Sequence, residues 1–111
     1  MATMTPIAEK YIEAVNRADI KSLMELFAPN STLAHPAGVF TGTDAIAGFY
    51  ESVVFAGKAV TEIEQYFSDG DTQILQLRAS SPLGEPGQYV YAADVFTIRD
   101  DLIERLDIYY R

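Results

Sequence analysis

Gln88-Tyr89-Val90-Tyr91-Ala92-Ala93-Asp94-Val95-Phe96-Thr97-Ile98 reads as one long strand. Val90, Ala92, Asp94, Phe96 and Ile98 recur at the period of two that puts them on one face. Four of the five are apolar, and the middle one is a carboxylic acid. A carboxylate buried without a partner is costly, so such a group raises its pKa and becomes neutral. A neutral carboxyl among apolar side chains can donate a hydrogen bond. The same pattern also accommodates Asp94 at a frayed strand end facing water.

The neighbouring stretches share the period. Ala59 to Phe67 alternates and ends at a Ser68-Asp69-Gly70-Asp71 turn. Thr72 to Ser80 is the next strand, closed by Ser81-Pro82-Leu83-Gly84-Glu85-Pro86-Gly87. Arg99-Asp100-Asp101 turns the long strand into a last one, Leu102 to Tyr110. The half before residue 59 follows a helical period instead. Thr5 and Pro6 read as N-cap and first position of a helix whose buried face is Ile7, Tyr11, Ala14, Val15 and Ala18. Glu9, Lys10, Glu13 and Asn16 face out. Asp19 caps a second helix with the stripe Ile20, Leu23, Leu26 and Phe27, and Pro29-Asn30 ends it. Ser31 to Gly38 holds a short strand in which Leu33 and the chain's single histidine, His35, share a face. Pro36 stops its pairing and Gly38 permits a bend before Val39-Phe40. Thr43 caps a third helix, buried through Ile46, Phe49, Tyr50 and Val53 and broken at Gly57-Lys58.

Three helices followed by a run of antiparallel strands predict one α+β domain spanning residues 1–111. The helices carry one apolar stripe each and should cover one face of a strongly curved sheet. Such a cone has an interior, where inward polar groups matter.

Composition narrows the chemistry. The net charge is −8, from 16 acidic and 8 basic residues, which disfavours nucleic-acid partners. No cysteine is present and only one histidine, so disulfides, thiolate sites and an imidazole-built zinc site are not expected. No apolar run is long enough to cross a membrane. Met1 to Thr5 opens without a basic and then apolar leader, so a cytoplasmic location is expected. Seven tyrosines and six phenylalanines imply a thick core or an apolar pocket with polar handles. Tyr11 and Tyr50 sit in the apolar faces of their helices, and a buried phenol needs a hydrogen-bond partner. With Asp94 and His35 they make a convergent polar set. The plainer reading of each alone is a core tyrosine or a hydrogen-bonded turn histidine.

Several stretches resemble the nuclear-transport-factor-2-like superfamily, most of all its ketosteroid isomerase and SnoaL-like branches. They are Tyr11 to Ile20 followed by Leu26 to Thr32, Gly42-Thr43-Asp44-Ala45-Ile46 with Phe49-Tyr50, Ala93-Asp94-Val95-Phe96, and Asp101 to Tyr110. The resemblance implies a cone of three N-terminal helices packed in a strongly curved, mixed, mainly antiparallel sheet. It implies an isomerase that moves a proton next to a carbonyl, on a steroid- or polyketide-like substrate, without a cofactor. Tyr11 and a protonated Asp94 would stabilise the enolate oxygen, with Tyr50 supporting their hydrogen-bond network. The family's base is an aspartate before a proline. Here His35 precedes Pro36 and would be the base, its imidazole titrating near ~6.5 when unperturbed.

The substrate is expected among Phe27, Leu33, Phe49, Phe55 and Phe96. The resemblance also implies a homodimer joined through the outer sheet face, where Tyr89, Tyr91 and Tyr109 would point. A branch similar to limonene epoxide hydrolase uses two carboxylates around an arginine. Arg78 has Gln76 and Ser80 on its face rather than acids, so Asp107 reads as an ion-pair partner of Arg105 or Arg111 on an exposed edge. The alternative to catalysis is a small-ligand-binding or dimerisation module of the same fold. An open cavity of several hundred Å3 favours the enzyme; a cone filled by rings favours the module.

Overall fold

The computed structural model describes residues 6–111. The described residues form three short helices: α1 (Pro6–Arg17) and α2 (Ile20–Met24) at the start, and α3 (Thr43–Phe49) after the first two strands. A single π turn, Tyr50–Val54, prolongs α3. The strands are β1 (Phe27–His35), β2 (Gly38–Thr41), β3 (Val60–Asp69), β4 (Thr72–Ser80), β5 (Val90–Arg99) and β6 (Leu102–Tyr110). They form one sheet in the order β2-β1-β6-β5-β4-β3. All neighbours are antiparallel except β1 and β6, so the sheet is mixed and mainly antiparallel, as expected.

The helices cover the concave face. Tyr11, Ala14 and Val15 of α1 are buried, as are Ile46 and Phe49 of α3. They close over Leu33, Leu75, Leu77, Phe96, Ile103 and Leu106 of the sheet. Tyr11 packs edge-on against Phe96, with ring centroids 5.0 Å apart.

Several local expectations fail for clear reasons. Ala18 is exposed rather than buried. It holds φ at 52° while Asp19 N–H reaches back to the Ala14 carbonyl, the closing bond of a helix C-terminus. The buried place falls instead to Ala8. Leu26 and Phe27 are core residues but not helical, because α2 ends at Met24 and Phe27 already pairs with Ile103 of β6. Pro29 and Asn30 therefore interrupt a strand rather than end a helix. They lie where the β1–β6 register shifts between Phe27 and Thr32, the kind of irregularity that tolerates proline. The cap of α3 is Gly42, not Thr43: φ of 88° there is left-handed backbone that glycine adopts freely. The expected cap at Thr5 lies outside the described residues. Ser68 and Asp69 belong to β3, leaving a two-residue Gly70-Asp71 turn. Likewise Arg99 pairs with Leu102, and Asp100 and Asp101 turn the chain with φ of 54° and 62°. Positive φ at both positions is the geometry that matches the twist of a tight hairpin.

Asn16 faces solvent yet has a structural task. Its side-chain amide donates to the Thr61 carbonyl at 3.1 Å, and its oxygen accepts from Thr61 N–H at 2.8 Å and the Thr61 hydroxyl at 2.9 Å. Thr61 lies on β3, the last strand of the sheet, whose outer backbone groups would otherwise be free. Asn16→Ala is expected to lower the unfolding free energy by about 1–2 kcal/mol, because the bonds are partly replaced by water. A urea midpoint equal to that of the wild type would show that the clamp contributes nothing.

Candidate active site

Three elements meet at the polar end of the cone. Tyr11 comes from the middle of α1, Tyr50 from the start of the π turn, and Asp94 from the centre of β5. All three are buried, with relative exposures of 4%, 1% and 4%. The π turn explains why Tyr50 is buried and Val53, at the cavity, is half exposed. Phe55 N–H donates to the Tyr50 carbonyl, a wider i to i+5 closure than the α-helical one. The helical spacing that predicts a buried Val53 is lost, so Val53 is exposed and Val54 packs on the core instead. Asp94 sits between Leu75 of β4 and Ile108 of β6 on the concave face.

The three groups form a chain. The Tyr11 and Tyr50 hydroxyl oxygens are 2.7 Å apart, and Tyr11 also hydrogen-bonds the Asp94 carboxyl. An ionised carboxylate can only accept, so Tyr11 then donates to Asp94 and accepts from Tyr50. Burial pushes Asp94 up to about 7, and the Tyr11 hydrogen bond offsets part of that rise. Burial likewise holds Tyr11 well above the ordinary phenol range, reinforced by Tyr50 and Asp94. Tyr50 is raised by the same cause. At neutral pH the phenols keep their protons, and Asp94 is poised between its two forms.

A cavity of about 520 Å3 opens beside this chain. Tyr11, Tyr50 and Asp94 contribute its polar groups on the buried side, and half-exposed Tyr110 contributes another. Val15, Phe49, Val54, Leu77, Ala92 and Ile108 are among its apolar walls, and Glu85 and Gln88 of the exposed β4–β5 connection stand at its mouth. Ser81 fixes that connection: its hydroxyl donates to the Gly57 carbonyl and accepts from Leu83 N–H. Of the five residues expected to hold the substrate, only Phe49 lines the cavity. Phe27, Leu33 and Phe96 are sealed in the core beneath it, and Phe55 packs against the core from the side. Periodicity assigns a face, but whether an inward side chain fills the core or borders a cavity depends on packing from other elements.

His35 ends β1, and its ring is not on the cavity wall. Phe49 lies against it at 4.7 Å between centroids. Its Nδ1 accepts from Ala37 N–H at 3.0 Å, and its Nε2 lies 2.6 Å from the Tyr110 hydroxyl. Both ring nitrogens are engaged, so neither faces a substrate in this arrangement. Burial lowers the imidazole pKa. Tyr110 is a cavity residue, with a polar group, that sequence reasoning missed. A signal existed: Leu106, Ile108 and Tyr110 share the concave face of β6 at period two.

On the convex face Asp107 binds Arg105, whose Nε donates to both carboxylate oxygens at 3.0 Å. The pair lies on a central strand, not on an edge as expected. Arg78 is paired with Glu62 at 3.0 Å and covers the Tyr89 ring. Tyr89 also borders the cavity mouth, and Tyr91 lies beneath Arg111, which leaves Tyr109 as the most exposed ring of the expected outer patch. Among the described residues no cluster of three or more histidine, aspartate or glutamate side chains is placed to hold a metal ion. No described helix is long and apolar enough to cross a membrane.

A curved mixed sheet around three helices, with a polar group buried at the base of an open cavity, defines the NTF2-like class. Within that class the chain belongs to the SnoaL-like domain family, whose model matches residues 8–106. No curated protein matches it. Solved structures do. A provisionally named polyketide cyclase from Sinorhizobium meliloti is 28% identical, with a TM-score of 0.86 over 96% of this chain and 95% of that one. A Catenulispora acidiphila protein of ketosteroid isomerase-like fold, in complex with trimethylamine, is 23% identical, with a TM-score of 0.84 over 97% and 87%. A Mycobacterium tuberculosis protein in complex with estradiol-17β-hemisuccinate is 15% identical, with a TM-score of 0.80 over 95% and 91%. The last two likenesses are of fold.

Proposed function

We propose that this chain is an enzyme that moves a proton next to a carbonyl group of an apolar steroid- or polyketide-like compound, in a double-bond isomerisation or a related cyclisation. One observation carries the reading: Asp94 is a buried carboxyl on the wall of an open cavity, titrating at about 7 and hydrogen-bonded to Tyr11. A group poised near the working pH is suited to take and return a proton. The cavity volume suits a ligand of several fused or linked rings. The likeness to the Sinorhizobium meliloti protein points to the same substrate class.

The resemblance assigns oxygen binding to Tyr11 and neutral Asp94, and proton acceptance to His35. With both His35 nitrogens engaged, proton acceptance passes to Asp94. The substrate oxygen competes with Asp94 for the Tyr11 proton. When Tyr11 turns to that oxygen, Asp94 loses the bond that holds its pKa down and becomes more basic as the carbonyl is polarised. The C–H bond beside the carbonyl breaks, its electron pair moves into the enolate, and the proton goes to Asp94. Tyr11, accepting from Tyr50, holds the enolate oxygen. Protonated Asp94 then returns the proton to carbon.

Deuterium uptake tests this. Steroid enones and polyketide-like ketones in D2O should gain deuterium beside the carbonyl with the wild type and not with Asp94→Asn. Binding without exchange would favour the second reading, a ligand-binding module, which the ligand-bound mycobacterial and Catenulispora proteins of the same fold support. Neither binding nor exchange across the panel would remove both. Pairing of two copies through the convex face around exposed Tyr109 belongs to this proposal, and a monomer in sedimentation would delete it.

A further inference from the structure

The lone histidine is close to the cavity, is not on its wall, and is bonded to a residue that is. A backbone amide can only donate, so the Ala37 N–H that reaches His35 Nδ1 requires a bare lone pair there. A neutral imidazole with a bare Nδ1 carries its proton on Nε2. That nitrogen is 2.6 Å from the Tyr110 oxygen, so Nε2–H donates and the phenol accepts. The phenol's own proton cannot point back at Nε2–H and must be directed elsewhere. Tyr110 borders the cavity, and its hydroxyl is near enough to Asp94 to feel the charge of the ionised carboxyl.

We propose that Tyr110 is a further hydrogen-bond donor to the substrate oxygen, and that His35 is the positioning residue that turns its proton toward the cavity. The proposal rests on the proton-transfer reading of the site and adds to it a second phenol besides Tyr11. A bound oxyanion would then be held by hydroxyls from α1 and from β6, both lining the cavity that Asp94 lines.

The probe is 2-naphthol, an aromatic oxyanion mimic whose fluorescence separates phenol from phenolate. Tyr110→Phe removes the hydroxyl, and with it the acceptor of His35 Nε2–H, and should weaken naphtholate binding about 10- to 100-fold. His35→Leu should weaken it in the same direction, and His35→Gln, whose amide can donate from the Nε2 position, should restore most of the affinity. A purely structural role for His35 would leave Gln no better than Leu. Weakening by Tyr11→Phe with none by Tyr110→Phe would overturn the inference while the functional reading stands. Weakening by Tyr110→Phe alone would support it and remove Tyr11 from that reading. One measurement needs no ligand. Because the chain has a single histidine, a long-range 1H–15N spectrum reports its tautomer without assignment. Bare Nδ1 and protonated Nε2 support the inference; protonated Nδ1 overturns it.

Discussion

Asp94→Asn is expected to lower turnover of any active substrate by about 10²- to 10⁴-fold, the usual worth of a positioned acid–base group. Asparagine has nearly the same shape and still accepts from Tyr11, so the cavity and its hydroxyl chain should survive. It cannot take a proton from carbon. The pH profile sharpens the test. If ionised Asp94 is the acceptor, kcat/KM rises as pH climbs through about 7, where its carboxyl loses its proton. If neutral Asp94 is instead an oxygen donor, as the resemblance implies, kcat/KM falls through the same range. A profile flat from pH 5 to 9, or an Asn variant of wild-type activity, would end the assignment of Asp94 to the chemistry.

The same substitution should change how stability depends on pH. Asp94 titrates at about 7 when folded, above the roughly 3.9 of an unfolded aspartate. Between those values the native state holds a proton that the unfolded chain has released. The acid's contribution to stability is therefore intact below the unfolded value and is lost as pH rises through the folded one. From pH 5 to pH 8 that loss is about 2–3 kcal/mol for this one group. Asp94→Asn has no such proton, and its unfolding free energy should fall less over the same range by that amount. The other acids and bases of this −8 chain titrate alike in both proteins and cancel in the comparison. Urea unfolding at the two pH values measures it, and equal changes in the two proteins would mean that Asp94 is not held near 7.

Sequence reading reached the polar core more readily than the cavity. Tyr11 and Asp94 are legible because each breaks an otherwise apolar face, and a polar break in a periodic pattern is a local signal. The strands Thr72–Ser80 and Leu102–Tyr110 are legible because tight turns bound them. Asn16 looked like an ordinary outward residue, since its partner Thr61 is far away in sequence. The same holds for His35. Its bond to Tyr110 spans 75 residues and exists only because β1 lies parallel to β6. No local pattern shows that a ring seen as a candidate base has both nitrogens occupied. Phe27, read as part of a helix stripe, and Leu33 and Phe96, read on strands, share one failure: each does face inward, and only the packed whole decides which inward side chains leave a void between them.

The parallel pair of β1 and β6 sets an order of events for the growing chain. β1 emerges from the ribosome before the other five strands and β6 after them, yet the two lie side by side in the sheet. Until the final nine-residue strand arrives, β1 has only the four residues of β2 to pair with. Tyr110, its link to His35, and one wall beside Asp94 all arrive with that strand. The nascent protein has helices and hairpins but no receptacle, and the closing contact is among the most distant in sequence, where ordering the intervening chain costs most entropy. A chain lacking β6 would keep the β3–β4–β5 strands while losing Ile108 and Tyr110 from the cavity wall and the second neighbour of β1.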